Sequence, residues 1–98
     1  MSTKMSEWQL TQLFLSDTGV YEVDVHINNS RLRCTCPGYA SRTACKHTRY
    51  VKARMDMNDG IYPTEVSNKV SKQEALVASK DPKAFRKLLI NHGKIEVL

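Results

Sequence analysis

Residues 31–54 read RLRCTCPGYASRTACKHTRYVKAR and hold every cysteine of the 98-residue chain. Cys34 and Cys36 are two positions apart; eight residues follow, and then come Cys45 and His47, again two apart. Three thiols and one imidazole make the ligand set that a tetrahedral structural zinc ion takes. A strand turns residues i and i+2 to the same side, so one extended segment can aim both Cys34 and Cys36 at a single point. The intervening residues are long enough to carry the chain across to the second pair, at the start of a helix. Two buried thiols with a core histidine, a Cys45–His47 nucleophilic dyad and a disulfide between two of the cysteines are the competing readings. Dyad partners normally come from separate elements, and an odd cysteine count does not suit a disulfide framework. The expectation is one structural Zn2+ held by Cys34, Cys36, Cys45 and His47.

Working outward toward the N-terminus, Val20–Ile27 alternates Tyr21, Val23, Val25 and Ile27 with Glu22, Asp24 and His26, the pattern of a half-buried strand. Asn28-Asn29 suits a two-residue hairpin turn. A second strand over residues 30–36 then pairs Val25 with Leu32, Val23 with Cys34 and Tyr21 with Cys36. That register carries the first two ligands inward and sets Asp24 opposite Arg33 on the outer face, so the two strand arginines, Arg31 and Arg33, are discounted as partner contacts. Trp8–Ser16 fits either a helix, with Ser6–Gln9 as a capping box, or a strand with Trp8, Leu10 and Phe14 on one face. The strand is preferred because Asp17-Thr18-Gly19 is a hairpin signal. Residues 1–5 are polar and expected to fray. His26 is expected to be solvated.

Toward the C-terminus, Pro37-Gly38 ends the strand and residues 39–43 are expected to form a loop. A helix follows from about Ala44 to Met57, capped by Ser41 or Thr43, with His47, Thr48, Val51 and Met55 facing the sheet. Asp59-Gly60 and Pro63 mark a boundary. The division expected is a finger domain over 1–60, a linker over 61–70 and a short helical extension over 71–98. In that extension Ser71–Glu74 matches a capping box, Asp81-Pro82 opens a second helix, and Phe85, Leu88 and Leu89 form an apolar stripe calling for a cover. The fold class expected is α+β, with an antiparallel sheet of two or three strands and a helix around the zinc.

Charge is concentrated on the ligand segment. Residues 31–54 contain seven Lys or Arg and no Asp or Glu, within a chain whose formal net charge is +5. Such a patch suits a nucleic-acid footprint, and it equally suits a zinc-finger surface whose cations stabilise thiolates. The candidate nucleic-acid contacts are Arg42, Lys46, Arg49, Lys52 and Arg54, with Tyr39 or Tyr50 available to stack on a base. No glycine-rich phosphate loop or carboxylate pair is visible, and four protein ligands leave the metal no open position, so an enzyme is not expected. No apolar run approaches the ~20 residues that cross a bilayer. The reduced thiols favour an intracellular setting.

The run C-T-C-P-G-Y followed by A-C-K-H, after two strands and before a helix, resembles the SWIM-type zinc finger, whose pattern is C-x-C-x(n)-C-x-H in a β-β-α arrangement. The likeness spans about Val20 to Met57. It implies Cys34, Cys36, Cys45 and His47 as the zinc ligands, and binding of DNA or of a protein partner through the finger. Both partners remain open here. Structural zinc contributes on the order of 10–16 kcal/mol in finger peptides, so its loss is expected to unfold residues 20–57 while the C-terminal helices persist.

Overall fold

The computed structural model describes residues 7–98. The frayed tail expected over residues 1–5, and Ser6 of the alternative capping box, lie outside them. β1 (Trp8–Ser16) and β2 (Gly19–His26) form the expected hairpin around Asp17-Thr18. Gly19 takes a φ of +146°, which L side chains rarely adopt, so a glycine ends the turn. β3 (Leu32–Cys34) pairs with β2 in the anticipated register, Val25 opposite Leu32 and Val23 opposite Cys34. It is shorter than the strand expected over 30–36, and the Tyr21–Cys36 pair does not form because the chain turns into a helix at Pro37. Arg33 Nε donates to Asp24 Oδ2 at 3.0 Å, while Arg31 makes no ion pair among the described residues. The connection is wider than a two-residue turn: the positive φ falls on Ser30, whose amide donates to the His26 carbonyl at 2.9 Å. His26 faces both Ser30 and Arg31, its amide donating to the Arg31 carbonyl at 2.7 Å, and this bulge restores the Val25–Leu32 register.

The sheet is larger than the two or three strands expected, and it is mixed. β4 (Ile95–Val97) lies parallel to β1, giving the order β3-β2-β1-β4. A parallel neighbour requires a long crossover, and everything between β1 and β4 supplies it. The stretch 61–70, anticipated as a linker, buries Tyr62 in the core and bridges Val66 to Gly93.

One irregularity lets β1 serve two cores. Its register shifts between Leu10 and Gln12, leaving Thr11 as an extra residue. A single extra residue reverses the in–out alternation beyond it. Leu10 and Leu13 consequently share one face, packed with Phe85 and Leu89 of α4 (Pro82–His92). Phe14 turns to the other face, packed with Val23, Cys34, Cys36, Cys45, Val51 and Met55 beneath α2 (Lys46–Asp56). The simple face of Trp8, Leu10 and Phe14 does not form. The stripe of Phe85 and Leu89 finds its cover on this chain's own sheet. Gln12 is buried on the α2 side and engaged throughout: its Nε2 donates to the Leu13 and Lys94 carbonyls at 2.9 and 2.5 Å, and its Oε1 accepts from Tyr62 Oη at 2.9 Å. Burial pushes the Tyr62 phenol above its ordinary value, so it serves as a neutral donor.

The remaining elements follow their caps. α3 (Lys72–Ala78) opens with the expected box: Ser71 Oγ accepts from the Glu74 amide at 3.1 Å, and Glu74 Oε1 accepts from the Ser71 amide at 3.2 Å. Asp81 caps α4 by accepting from the Lys83 amide at 3.2 Å, with Pro82 leading the helix. His26 is not solvated as expected; only 13% of its side chain is exposed, with Trp8 edge-on at 5.0 Å and Glu7 at 3.2 Å.

Gly93 joins α4 to β4 with an unremarkable φ of −72°, yet a Cβ there would lie 2.6 Å from the Leu89 carbonyl oxygen. Gly93→Ala is therefore expected to cost roughly 1–3 kcal/mol of stability. Gly38→Ala, whose Cβ would meet nothing closer than 3.8 Å, is expected to stay near wild type. Chemical denaturation of the two variants checks this, and equal losses would contradict the packing described.

Candidate metal centre

The two ligand pairs are delivered by different devices. Cys34 ends β3, and its side chain faces the core by strand alternation. Cys36 is the residue from which α1 (Pro37–Arg42) starts, so the expected loop over 39–43 is a short helix. Proline suits a first helical position because its φ is already set and its missing N–H would be unpaired anyway. Thr43, at φ 55°, closes α1 by donating its amide to the Tyr39 carbonyl at 2.7 Å.

Cys45 is itself the N-cap of α2, which begins two residues later than expected; neither Ser41 nor Thr43 caps it. Its Sγ accepts from the Thr48 amide at 3.5 Å, and Thr48 Oγ1 accepts from the Cys45 amide at 3.1 Å. A thiolate in this position meets the unpaired N–H groups of the helix end. Burial alone would raise the Cys45 thiol; the Thr48 amide and hydroxyl, with the Cys36 and Cys34 thiols, hold it below its ordinary value. For Cys34 burial outweighs the lowering effect of the Cys36 amide, the Cys36 and Cys45 thiols add to the rise, and the group is pushed up to about 12.

His47 lies in the first turn of α2, with its ring 4.8 Å from Phe14 and 5.8 Å from Tyr21. Its Nδ1 is 3.6 Å from Cys34 Sγ and 3.9 Å from Cys45 Sγ. Nε2 lies 3.3 Å from the Leu98 carbonyl. A carbonyl only accepts, so Nε2 carries the proton and the Nδ1 lone pair is left for a metal. Burial lowers the imidazole below its ordinary value, Lys46 adds to this, and the Leu98 carbonyl works against it.

All four ligand atoms are buried and lie within 4.8 Å of one another. Zinc–sulfur bonds of about 2.3 Å and zinc–nitrogen bonds of about 2.0 Å at tetrahedral angles require ligand separations of about 3.5–3.8 Å. The sulfur–nitrogen distances of 3.6 and 3.9 Å nearly meet that requirement. The four residues can hold one metal ion, and three thiols with one imidazole form a set that zinc takes. None of the three cysteines is in a disulfide. The Leu98 carbonyl was not legible beforehand, because no local pattern places the end of β4 beside His47.

The predicted basic contacts separate into two groups. Arg42, Lys46 and Arg49 are exposed and make no ion pair among the described residues. Lys52 pairs with Asp56 at 3.4 Å, and Arg54 with Glu65 at 3.7 Å. Arg54 also donates to Tyr50 Oη at 3.3 Å, while the Tyr50 ring packs edge-on against Phe14 at 5.4 Å. Tyr39 Oη donates to the Leu32 carbonyl at 2.9 Å. Both tyrosines are thus engaged within the fold. Comparison with protein-family models, with curated proteins and with solved structures gives no match for this chain.

Native mass spectrometry is expected to find one zinc per chain, and Cys45→Ser to lose it. Because α4 and β4 dock on β1, the unfolding on metal loss should extend beyond residues 20–57 into the C-terminal elements. Removing residues 95–98 takes away the partner of His47 Nε2 and should weaken metal binding roughly 10–100-fold. Competition with a chromophoric chelator measures that loss, and an undiminished affinity would contradict the assigned tautomer.

Acid should release the metal. Binding displaces protons from the thiols, Cys34 above all, so affinity falls as protons become abundant. His47, with its folded value lowered, contributes stability that is full above the unfolded imidazole value of about 6.5 and lost as pH falls below it. Both effects act in the same direction. Metal release followed from about pH 8 to about pH 5 should rise steadily; a flat profile would contradict the cluster.

Proposed function

We propose that the chain is a SWIM-type module in which a structural zinc ion holds a basic surface for binding nucleic acid, DNA first. The observation that carries this reading is the trio of Arg42, Lys46 and Arg49, exposed and without ion pairs among the described residues, beside the Cys/His cluster. A bound zinc with three thiolates would bring a net charge of about −1, which three cations exceed. Lys52 and Arg54 are committed to Asp56 and Glu65 and are set aside as contacts. Zinc would cross-link β3 to α2, and with four protein ligands it has no position for a reactive water. The ion is therefore read as structural and the chain as a binding module rather than an enzyme. No helix among the described residues is long and apolar enough to cross a membrane.

Three phosphate contacts predict a slope of log affinity against log salt of about −2 to −3. The combined Arg42→Ala, Lys46→Ala and Arg49→Ala variant should abolish binding, and Lys52→Ala should change it little. Fluorescence anisotropy with a labelled oligonucleotide at several salt concentrations measures both. Absence of wild-type binding even at low salt would end this reading.

A second reading, a protein-docking module on the same zinc scaffold, is favoured by one observation. Leu76 and Val77 of α3 are 58% and 63% exposed, although they are large aliphatic side chains. The stripe that first suggested a partner is largely used internally, since Phe85 and Leu89 are buried against β1. Leu76→Ser with Val77→Ser should abolish capture of a protein partner under this reading and leave oligonucleotide binding intact under the first.

A further inference from the structure

A cleft of about 530 Å³ opens over the Cys/His cluster, lined by the β1–β2 turn, α1 and the first turn of α2. Cys36, Cys45 and His47 lie along it. The helices contribute the guanidinium groups of Arg42 and Arg49 and the ammonium of Lys46; the hairpin contributes the hydroxyls of Ser16, Thr18 and Tyr21. These hydroxyls form a connected row. Thr18 Oγ1 is 2.5 Å from Tyr21 Oη and 3.3 Å from Ser16 Oγ, all three near the surface. No carboxylate lines the cleft. Asp17, in the same turn, makes no ion pair among the described residues.

We propose that this cleft seats a backbone phosphate of a nucleic acid, with the bonded Thr18–Tyr21 hydroxyl pair offering the one proton that their mutual bond leaves free, opposite the charge supplied by Arg42, Lys46 and Arg49. Cations alone attract a polyanion without fixing its register, whereas neutral donors aimed at a phosphate oxygen position it. A row of neutral hydroxyls in a carboxylate-free, cation-lined concavity has the composition such a seat requires. The hairpin turn carries none of the basic residues that mark the α1–α2 segment, so charge alone would not bring it into the interface. This inference rests on the nucleic-acid reading and adds to it the turn that positions the ligand.

The test uses the zinc-loaded full chain and a labelled single-stranded DNA oligonucleotide, with inorganic phosphate as competitor. Thr18→Ala with Tyr21→Phe should lower affinity about tenfold or more without changing the salt slope, because no charge is removed. Arg49→Ala should instead flatten that slope by about one unit. Tyr21→Phe keeps the ring against His47, and Thr18→Ala alone, in an exposed turn, serves if the double variant loses zinc. Wild-type affinity in the hydroxyl variants, with binding still abolished when the three cations are removed, would overturn the inference and leave the nucleic-acid reading standing. Absence of wild-type binding would remove both. Inorganic phosphate competing as well as the oligonucleotide would make the cleft a free-anion site and overturn the assignment to nucleic acid.

Discussion

Three sulfurs and one ring nitrogen converge in a buried space where every pair lies within 4.8 Å. This convergence places the rest of the fold. A metal ion held there would tie the end of β3 to the beginning of α2. The convergence also fixes the rotation of α2 about its axis, because Cys45 must cap while His47 points inward. Val51 and Met55, further along the same helical face, then fall onto Phe14 and Val23. Both edge strands of this small sheet are three residues long, and a metal cross-link at the helix start would add a constraint beyond the apolar packing.

The second constraint is the extra residue in β1. A regular strand shows one set of side chains to each face throughout. The shift at Thr11 lets β1 send Leu10 and Leu13 to α4 and Phe14 to α2. The two cores meet through the buried Gln12, which links β1 to Tyr62 and to the Lys94 carbonyl at the entry to β4. Leu98 then returns to β1, its amide donating to the Leu15 carbonyl at 3.0 Å while its own carbonyl meets His47. Cys/His cluster, bulge and last strand thus form one connected unit.

Charge is distributed in keeping with this arrangement. Beside the cluster, Arg42, Lys46 and Arg49 are without ion pairs among the described residues, while Lys52 and Arg54, farther along α2, are paired. Arg86 joins α4 to β2 through a two-pronged pair with Glu22, and Lys94 reaches Glu65 and Glu96 at 3.7 and 3.5 Å. Exposed pairs of this kind contribute little stability individually, about 0–1 kcal/mol. Arg42, Lys46 and Arg49, without ion pairs among the described residues, line the cleft over the cluster.

Much of the local structure was legible in the residues themselves. The ligand spacing, the Val23–Cys34 register, the cap at Ser71 and the start at Asp81-Pro82 all depend on contacts between near neighbours, where side-chain period and capping chemistry decide the outcome. The convergence of Cys34, Cys36, Cys45 and His47 could be anticipated for the same reason, since two i, i+2 pairs need only a strand end and a helix start to meet. What only the tertiary structure decided are the relations between distant segments: β4 beside β1, Tyr62 beneath Gln12, Leu98 against His47 and the Ser16–Thr18–Tyr21 row beside Arg42. Ile95-Glu96-Val97 carries no mark of its partner strand, because parallel pairing is set by the crossover and by the faces left to cover. The bulge was equally hidden, since Leu10, Gln12 and Phe14 alternate regularly on paper and only the demand of two cores reverses them.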